Sequence, residues 1–227
     1  MYNENYFTDE EKVLVKQLTS HLIRHAGEIL SIGDINAVHA VIKSGIINGH
    51  FQRDKYGINP TIRHLNTANL LIENVMPDRS MIIATLIYEL CKDNNLSTND
   101  VARLFDDDIA KLVRGLIKVS ELYRKQSAVE NDNFHKLLLT FAEDIRVIII
   151  MIVDRQNLMR TINHHPNEKF VHDIANESRY LYAPLAHRLG LYIIKSELED
   201  LSLKYLNRTI YTQIAHKLNE TKKDREE

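Results

Sequence analysis

The stretch DIRVIIIMIVDRQNLMRT, residues 144–161, decides the fold. Its centre, Val147 to Val153, is the longest unbroken apolar run in the chain, and Asp154 follows it directly. We predict one long helix over residues 133–162 that runs through the core and is most apolar at this centre. The run is far shorter than the roughly 20 residues that a membrane-spanning helix needs. We therefore expect no membrane association.

The overall composition also favours helices. The 227 residues include only 7 Gly and 4 Pro, which leaves few places where the backbone can turn sharply. Because 44% of the residues are apolar, a chain of this length can bury a core without disulfides or metals. We therefore predict an all-α protein.

Apolar residues at helical spacing, together with capping residues and helix breakers, predict further helices on both sides of the central one. Residues 51–60 form a loop and a candidate binding element, because Gly57, Asn59 and Pro60 punctuate them. Pro166 ends the central helix, so we predict a first domain over residues 1–165 and a small helical unit over 166–227. The other predicted helices are one within the first 30 residues, one that Gly33 and Asp34 cap and that ends at Gly49, one from Thr61 to Glu73, one from Pro77 and Asp78 through Leu90, one from Ser97 to Phe105, one from Asp106 onward, and three over 170–182, 192–205 and 209–219.

Charge and cysteine content limit the partners and the compartment. The net charge is −2 and the basic residues are scattered, so no overall field attracts nucleic acid and we expect no direct nucleic-acid binding. The single cysteine, Cys91, cannot form an internal disulfide and suits a reducing compartment. The first twelve residues are acidic and lack the pattern of a signal peptide. We therefore expect a cytoplasmic protein.

Three positions place ionisable groups on helices that are predicted to be buried. Asp154 needs a partner, because an unpaired carboxylate in an apolar environment is costly. It is either a structural acid satisfied by an Arg, Lys, Tyr or helix N-terminus, or a residue with metal-binding or catalytic duty. His64 and the pair Tyr88–Glu89 pose the same question on two earlier helices.

Long, ordered segments in the second half of the chain carry a family signature. They are residues 144–147 leading to 154–161, YAPLAHRLG at 182–190, and ELEDL at 197–201 with KYL at 204–206. From about residue 30 to its end, the chain resembles the RelA/SpoT homologue family of (p)ppGpp synthetases and hydrolases. The resemblance implies an N-terminal helical bundle of the HD hydrolase type, joined by linker helices to a synthetase domain. No synthetase segment follows within these residues.

The resemblance also implies a metal site. Active family hydrolases bind Mn²⁺ through a His, an adjacent His-Asp pair and a later Asp, and the ion polarises a pyrophosphate and activates a water. The first His falls on His64 and the later Asp on Asp154, but Tyr88–Glu89 replaces the His-Asp pair. A phenol is a poor ligand at neutral pH because its pKa is about 10. We therefore expect no cofactor, with His64, Glu89 and Asp154 as the ligands if a Mn²⁺ site is retained.

The residues that the family uses to handle water and nucleotide are altered too. Lys92–Asp93 replaces a Glu-Asp pair, and a lysine cation cannot act as the expected base. The basic nucleotide-binding loop of the family reads KYGINP at residues 55–60. The family's His-Asn near the later Asp becomes Asn157–Leu158, which moves the amide by one position and about 100° around the helix. The candidate nucleotide contacts that remain are Lys55, Arg155 and Thr161.

These changes predict a vestigial hydrolase pocket without catalytic residues, inside an intact fold. Its members are His64, Tyr88, Glu89, Lys92, Asp93 and Asp154. We expect the surviving His64 and Asp154 to bond to each other, to Tyr88 or to Arg63.

The resulting hypothesis is a regulatory, hydrolase-inactive HD-type domain of a GTP pyrophosphokinase, which acts in guanosine tetraphosphate metabolism and the stringent response. Its expected partner is its own C-terminal synthetase domain, and guanine nucleotide is a candidate ligand. Two alternatives stay open. One is an active metal-dependent (p)ppGpp 3′-pyrophosphohydrolase with rearranged ligands, and the other is a stand-alone helical interaction module.

Overall fold

The structure, a computed structural model, describes residues 6–125 and 144–226. Within these ranges the regular elements are helices and there is no strand, which confirms the all-α prediction. The part of the predicted central helix between residues 133 and 143 lies outside the described residues. The described residues form two compact units, one of 6–125 with 144–157 and one of 158–226. The predicted domain division after residue 165 stays a prediction.

The helices of the first unit begin largely where capping residues predict. Asp78 accepts a hydrogen bond from the backbone N–H of Met81, and Ser97 accepts one from that of Asp100. The prediction that Gly33 and Asp34 cap the second helix is wrong: Ser31 is the N-cap, and Asp34 completes a capping box from inside the helix. The helices are α1 (Asp9–His25), α2 (Ile32–Ile47), α3 (Pro60–Val75), α4 (Arg79–Lys92), α5 (Thr98–Leu104), α6 (Asp107–Lys125) and the first part of α7 (Ile145–Thr161).

The core of the first unit is built around α4. Every residue of α4 from Ser80 to Ile87 is buried, and the helix packs against α2, α3 and α6. The apolar centre of α7 is largely buried too, as predicted. Gly115 on α6 lets Val147 approach closely, since a Cβ atom at Gly115 would lie 2.6 Å from Val147 Cγ2. Asp154 is therefore carried by a helix that is fixed in the core.

Helices α1 and α3 lie side by side and run in the same direction. The Tyr6 hydroxyl, just before α1, lies 3.1 Å from the Thr61 hydroxyl at the start of α3. Further along both helices, the Asn69 side-chain amide donates to the Leu18 carbonyl at 3.0 Å. The two helices therefore begin at the same end of the unit.

Two arginines join carboxylates from different helices. Arg79 of α4 binds Asp34 of α2 at 2.6 Å and also contacts Asp106, ahead of α6. Arg146 of α7 binds Asp108 of α6 at 2.7 Å. The hydrogen bond from Arg79 lowers the pKa of Asp34 to about 2, and that from Arg146 lowers the pKa of Asp108 to about 2. Both carboxylates stabilise the folded state in their charged form.

Replacing Asp34 with Asn should lower the free energy of unfolding by about 2 kcal/mol at neutral pH. A folded-state pKa of about 2, against an ordinary value of 3.8, corresponds to that stabilisation. Because the folded-state pKa is depressed, the stabilisation is present above about pH 4 and is lost as the pH falls toward 2. Urea unfolding at stepped pH measures it. Asp107→Asn, at an exposed carboxylate of α6, is the control and should change stability by less than about 0.5 kcal/mol.

The second unit is a smaller group of helices. They are the end of α7, a 3₁₀ turn (Ile162–His164), α8 (Glu168–Glu177), a π-helical turn (Ser178–Tyr182), α9 (Ala183–Arg188), α10 (Tyr192–Leu206) and α11 (Arg208–Glu226). Pro184 lies in the first turn of α9, where its missing N–H is tolerated, directly after the π-helical turn. Glu197 on α10 accepts a hydrogen bond from Arg160, near the end of α7, at 2.8 Å. None of the helices described here is long and apolar enough to cross a membrane.

Candidate functional site

Asp154 faces α3, where Arg63 contacts both of its carboxylate oxygens. The Nε of Arg63 donates to Oδ1 at 2.9 Å, and its Nη2 donates to Oδ2. The Thr67 hydroxyl, one turn along α3, lies 3.1 Å from the same Oδ1. Burial works against the charged carboxylate, but the guanidinium outweighs it and holds the pKa of Asp154 below its ordinary range. Asp154 and Arg63 therefore form a charged, bidentate pair at neutral pH.

Asn157 links this pair to the backbone of α3. It lies one turn beyond Asp154, so both side chains face α3. Its amide nitrogen donates to the Arg63 carbonyl at 2.8 Å and to the Thr67 hydroxyl at 3.0 Å. Its carbonyl oxygen accepts from the Asn66 amide at 2.5 Å. This amide therefore serves to join α3 and α7 around the Arg63–Asp154 pair.

His64 is buried beside α4, close to Glu89 and Tyr88. Its Nε2 lies 3.9 Å from Glu89 Oε2, too far for a hydrogen bond, and its ring centroid is 6.1 Å from that of Tyr88. Its Nδ1 is buried and has no hydrogen-bond partner among the described residues. Burial lowers the pKa of His64 although Glu89 opposes the effect, so the imidazole is neutral at pH 7.

The Lys92 ammonium lies 3.2 Å from Glu89, one turn back on α4. Asp93 is exposed and caps the end of α4. The structure thus places Lys92, Glu89, Tyr88 and His64 close together, and it pairs Asp154 with Arg63. Of the partners that were predicted for Asp154, the structure shows Arg63.

The ligand set predicted for a retained Mn²⁺ does not fit as it is arranged. HD hydrolase domains typically depend on a metal, and carboxylate oxygen is a ligand type that Mn²⁺ accepts. Here both oxygens of Asp154 contact a guanidinium, whose positive charge would repel a divalent cation at the same atoms. Across residues 6–125 and 144–226, no group of three His, Cys, Asp or Glu side chains is arranged to hold a metal ion.

The three candidate nucleotide contacts lie in different surroundings. Lys55 is exposed in the loop after α2, with its ammonium 5.0 Å from the centre of the Tyr56 ring. Arg155 is buried on α7. Thr161, in the second unit, is exposed and donates its hydroxyl to the Leu158 carbonyl at 2.9 Å. Nucleotide binding by these residues stays a prediction.

The roles of Asn66 and Thr67 and the contact that Asn157 makes with α3 were not predicted from the sequence. The available signal was spacing: Arg63 and Thr67 lie one turn apart on α3, as Asp154 and Asn157 do on α7. Polar groups repeated on one face of two apolar helices indicate a buried hydrogen-bonded contact between those helices.

Comparison with known proteins identifies the family. The sequence profile of the HD domain matches residues 46–192, a range that contains His64, Glu89 and Asp154. The chain belongs to the HD domain family. The HD domain match covers most of the first compact unit and about half of the second, and it includes the whole of α3, α4 and α7.

Curated relatives of this HD domain chain belong to the RelA/SpoT group. It is 36% identical to a GTP pyrophosphokinase of Myxococcus xanthus over 77% of the chain and 23% of that relative. It is 36% identical to a guanosine-3′,5′-bis(diphosphate) 3′-pyrophosphohydrolase of Aquifex aeolicus over 94% of the chain and 29% of that relative. It is 32% identical to the bifunctional (p)ppGpp synthase/hydrolase SpoT of Escherichia coli over 74% of the chain and 24% of that relative. The chain thus spans about a quarter of the length of these relatives, and the matches confirm the RelA/SpoT resemblance.

Proposed function

We propose that this HD domain is the regulatory, hydrolase-inactive part of a GTP pyrophosphokinase that acts in guanosine tetraphosphate metabolism and the stringent response. One observation carries the proposal. Arg63 occupies both oxygens of Asp154, the carboxylate that the family resemblance assigns to the metal. The guanidinium supplies a positive charge, but unlike a metal ion it cannot coordinate a substrate oxygen or activate a water. Arg63 therefore balances the charge of Asp154 without supplying the chemistry of a metal ion.

The residues on α4 support the same proposal. Tyr88 offers a phenol where the family has an imidazole, and a phenol binds metal poorly while it is protonated. Lys92 is a cation where the family has an acidic water-handling residue, and its ammonium faces Glu89. Tyr88 and the Arg63–Asp154 pair affect metal binding, and Lys92 affects the handling of water. A single substitution that restores the family residue at one of these positions would therefore not restore activity.

The names and lengths of the relatives support the proposal that this domain belongs to a longer polypeptide with a synthetase domain. One relative is named a GTP pyrophosphokinase and another a bifunctional synthase/hydrolase, and each is about four times as long as its match to this chain. We propose a synthetase domain of the same polypeptide as the partner, guanine nucleotide as the candidate ligand and the cytoplasm as the location.

A second candidate is an active (p)ppGpp 3′-pyrophosphohydrolase with rearranged ligands. It is favoured by the Aquifex aeolicus relative, which is named for that reaction and matches 94% of this chain. The buried Nδ1 of His64, which has no hydrogen-bond partner within the described part of the chain, also leaves one donor atom available. This candidate requires that Arg63 leave Asp154 when metal binds.

A hydrolysis assay separates the two candidates. We expect the purified chain to release no pyrophosphate from (p)ppGpp above background with Mn²⁺, and its melting temperature to be unchanged by Mn²⁺ or by a chelator, because Asp154 already has a cation. The Aquifex aeolicus hydrolase, assayed in parallel, verifies the substrate and the metal. Mn²⁺-dependent pyrophosphate release that disappears in both His64→Ala and Asp154→Asn would establish the second candidate instead.

A further inference from the structure

Helix α1 carries two histidines one turn apart, His21 and His25. Of the 11 histidines in the chain, these two alone are spaced by four residues. Residues at this spacing lie on one face of a helix. The centroids of the two imidazole rings are 4.1 Å apart, and the ring planes are inclined at 33°. Neither ring belongs to the vestigial hydrolase pocket, so the pair needs an explanation of its own.

Asn69 of α3 fixes the position of the hydrogen on the His21 ring. The side-chain nitrogen of Asn69 has two hydrogens, and it donates them to the Leu18 carbonyl and the Leu65 carbonyl, each at 3.0 Å. The side-chain oxygen of Asn69 therefore faces His21 Nδ1, at 2.8 Å, and an oxygen of this kind only accepts. These bonds assign the hydrogen to Nδ1, and in the neutral imidazole Nε2 keeps its lone pair.

The backbone of α1 fixes the His25 ring in the same way. Its Nδ1 lies 2.9 Å from the carbonyl oxygen of His21, one turn back on the helix. Because a carbonyl oxygen only accepts, Nδ1 of His25 donates and its Nε2 keeps the lone pair. Both rings therefore hold the same tautomer. Metal-binding histidines typically show this arrangement, in which one ring nitrogen donates to an oxygen and the other binds the ion.

Glu73, one turn beyond Asn69 on α3, places a negative charge beside the His21 ring. Its Oε1 lies 3.8 Å from His21 Nε2, too far for a hydrogen bond. A nitrogen lone pair and a carboxylate oxygen that face each other repel, and either a proton or a metal ion between them removes the repulsion. The side chains of His21 and Glu73 are 38% and 48% exposed, so an ion from solvent can reach both.

We propose that His21 and His25 form a two-histidine site for Zn²⁺ or a chemically similar transition-metal ion. Imidazole nitrogen is a ligand that these ions prefer. Water completes the coordination, and Glu73 balances the charge of the ion. The site takes two ligands from the chain, so it differs from the three-ligand set predicted for the hydrolase pocket. It is independent of the proposed function, because no residue of that pocket takes part.

The site lies at the contact between α1 and α3. Because the Nδ1 side of the His21 ring is bonded to Asn69, an ion on Nε2 would hold α1 in the position that it takes against α3. An ion that binds the folded state alone stabilises it by mass action. We therefore expect Zn²⁺ to raise the melting temperature of the chain, and we expect His25→Gln to abolish this increase.

Calorimetric titration of Zn²⁺ into the full chain, dialysed free of metal and without a histidine tag, tests the proposal. We expect one Zn²⁺ per chain, and we expect Mn²⁺ to bind about tenfold more weakly or worse, because Mn²⁺ ranks lowest of these ions in affinity for such ligands. The affinity for Zn²⁺ should fall from about pH 7.5 to about pH 5.5, since protons compete for the Nε2 lone pairs. Binding that favours Mn²⁺ over Zn²⁺ would overturn the proposal.

Three variants locate the site. His25→Gln should weaken Zn²⁺ binding about tenfold or more, and it should fold because His25 is exposed. His172→Gln, at an exposed histidine of α8, is the matched control and should change the affinity less than about twofold. His64→Ala should also leave the affinity unchanged, which separates this site from a metal in the hydrolase pocket. Equal affinity of His25→Gln and the unaltered chain would mean that Zn²⁺ binds elsewhere, and the proposal would be wrong.

NMR spectra that correlate ring protons with ring nitrogens test the basis of the site without metal. At about pH 7.5, both His21 and His25 should carry a hydrogen on Nδ1 and none on Nε2. Addition of Zn²⁺ should shift the Nε2 signals of these two rings and leave that of His172 in place. If the His21 ring carries hydrogens on both nitrogens at this pH, the cation beside Glu73 is a proton, and the proposal fails.

Discussion

Replacing Arg63 with Met is expected to lower the free energy of unfolding by about 3 kcal/mol. The substitution removes the guanidinium that contacts both oxygens of Asp154 and leaves a carboxylate that is only 25% exposed without its countercharge. Removal of one partner of a buried pair typically costs 3–5 kcal/mol, and the partial exposure of Asp154 places the expected value at the lower end. Urea unfolding followed by circular dichroism measures it.

The double variant Arg63→Met with Asp154→Leu is the control for this prediction. With both charges gone, the apolar side chains can fill the contact between α3 and α7, so more than half of the lost stability should return. Asn157 keeps its bonds to the Arg63 backbone carbonyl and to Thr67, neither of which is removed. If the double variant is as unstable as the single one, the loss comes from packing and not from the unpaired charge.

Replacing Ile152 with Ala is expected to cost about 3 kcal/mol of unfolding free energy. Ile152 is fully buried on α7, two residues before Asp154, and truncation there leaves a cavity in addition to the lost apolar transfer free energy. Guanidinium chloride unfolding measures the loss. The slope of the unfolding free energy against denaturant concentration should stay unchanged, which shows that only the stability has changed.

Ile145→Ala is the matched control, because it is the same substitution on the same helix. Ile145 is 48% exposed, so its truncation should cost less than about 1 kcal/mol. Equal losses at the two positions would mean that the centre of α7 is not the core that the structure describes.

The helices could be predicted from local chemistry wherever a cap or breaker stands alone. Asp78 and Ser97 mark the starts of α4 and α5, because each offers an oxygen to an otherwise unpaired N–H three residues later. The start of α2 was missed because Ser31 and Asp34 both have capping side chains. In a capping box the first of two such residues is the N-cap, and the second is already helical.

The site was less predictable than the fold. The residues 64, 88, 89 and 154 could be named because the family motifs have fixed order and spacing. Which partner Asp154 takes depends on the rotation of α3 against α7, and that rotation is set by packing across the unit and not by the local sequence. The bonds from Asn157 to α3 follow from the same rotation.

The pairing of α1 with α3 bears on how the domain is produced. The HD profile begins at residue 46, after α1 and nearly all of α2. An expression clone cut at that residue would lose the Tyr6 hydroxyl beside Thr61 and the Leu18 carbonyl that accepts from Asn69. It would also expose the face of α3 that α1 covers, and exposed apolar faces promote aggregation. Clones intended to yield a folded domain should therefore begin ahead of Tyr6.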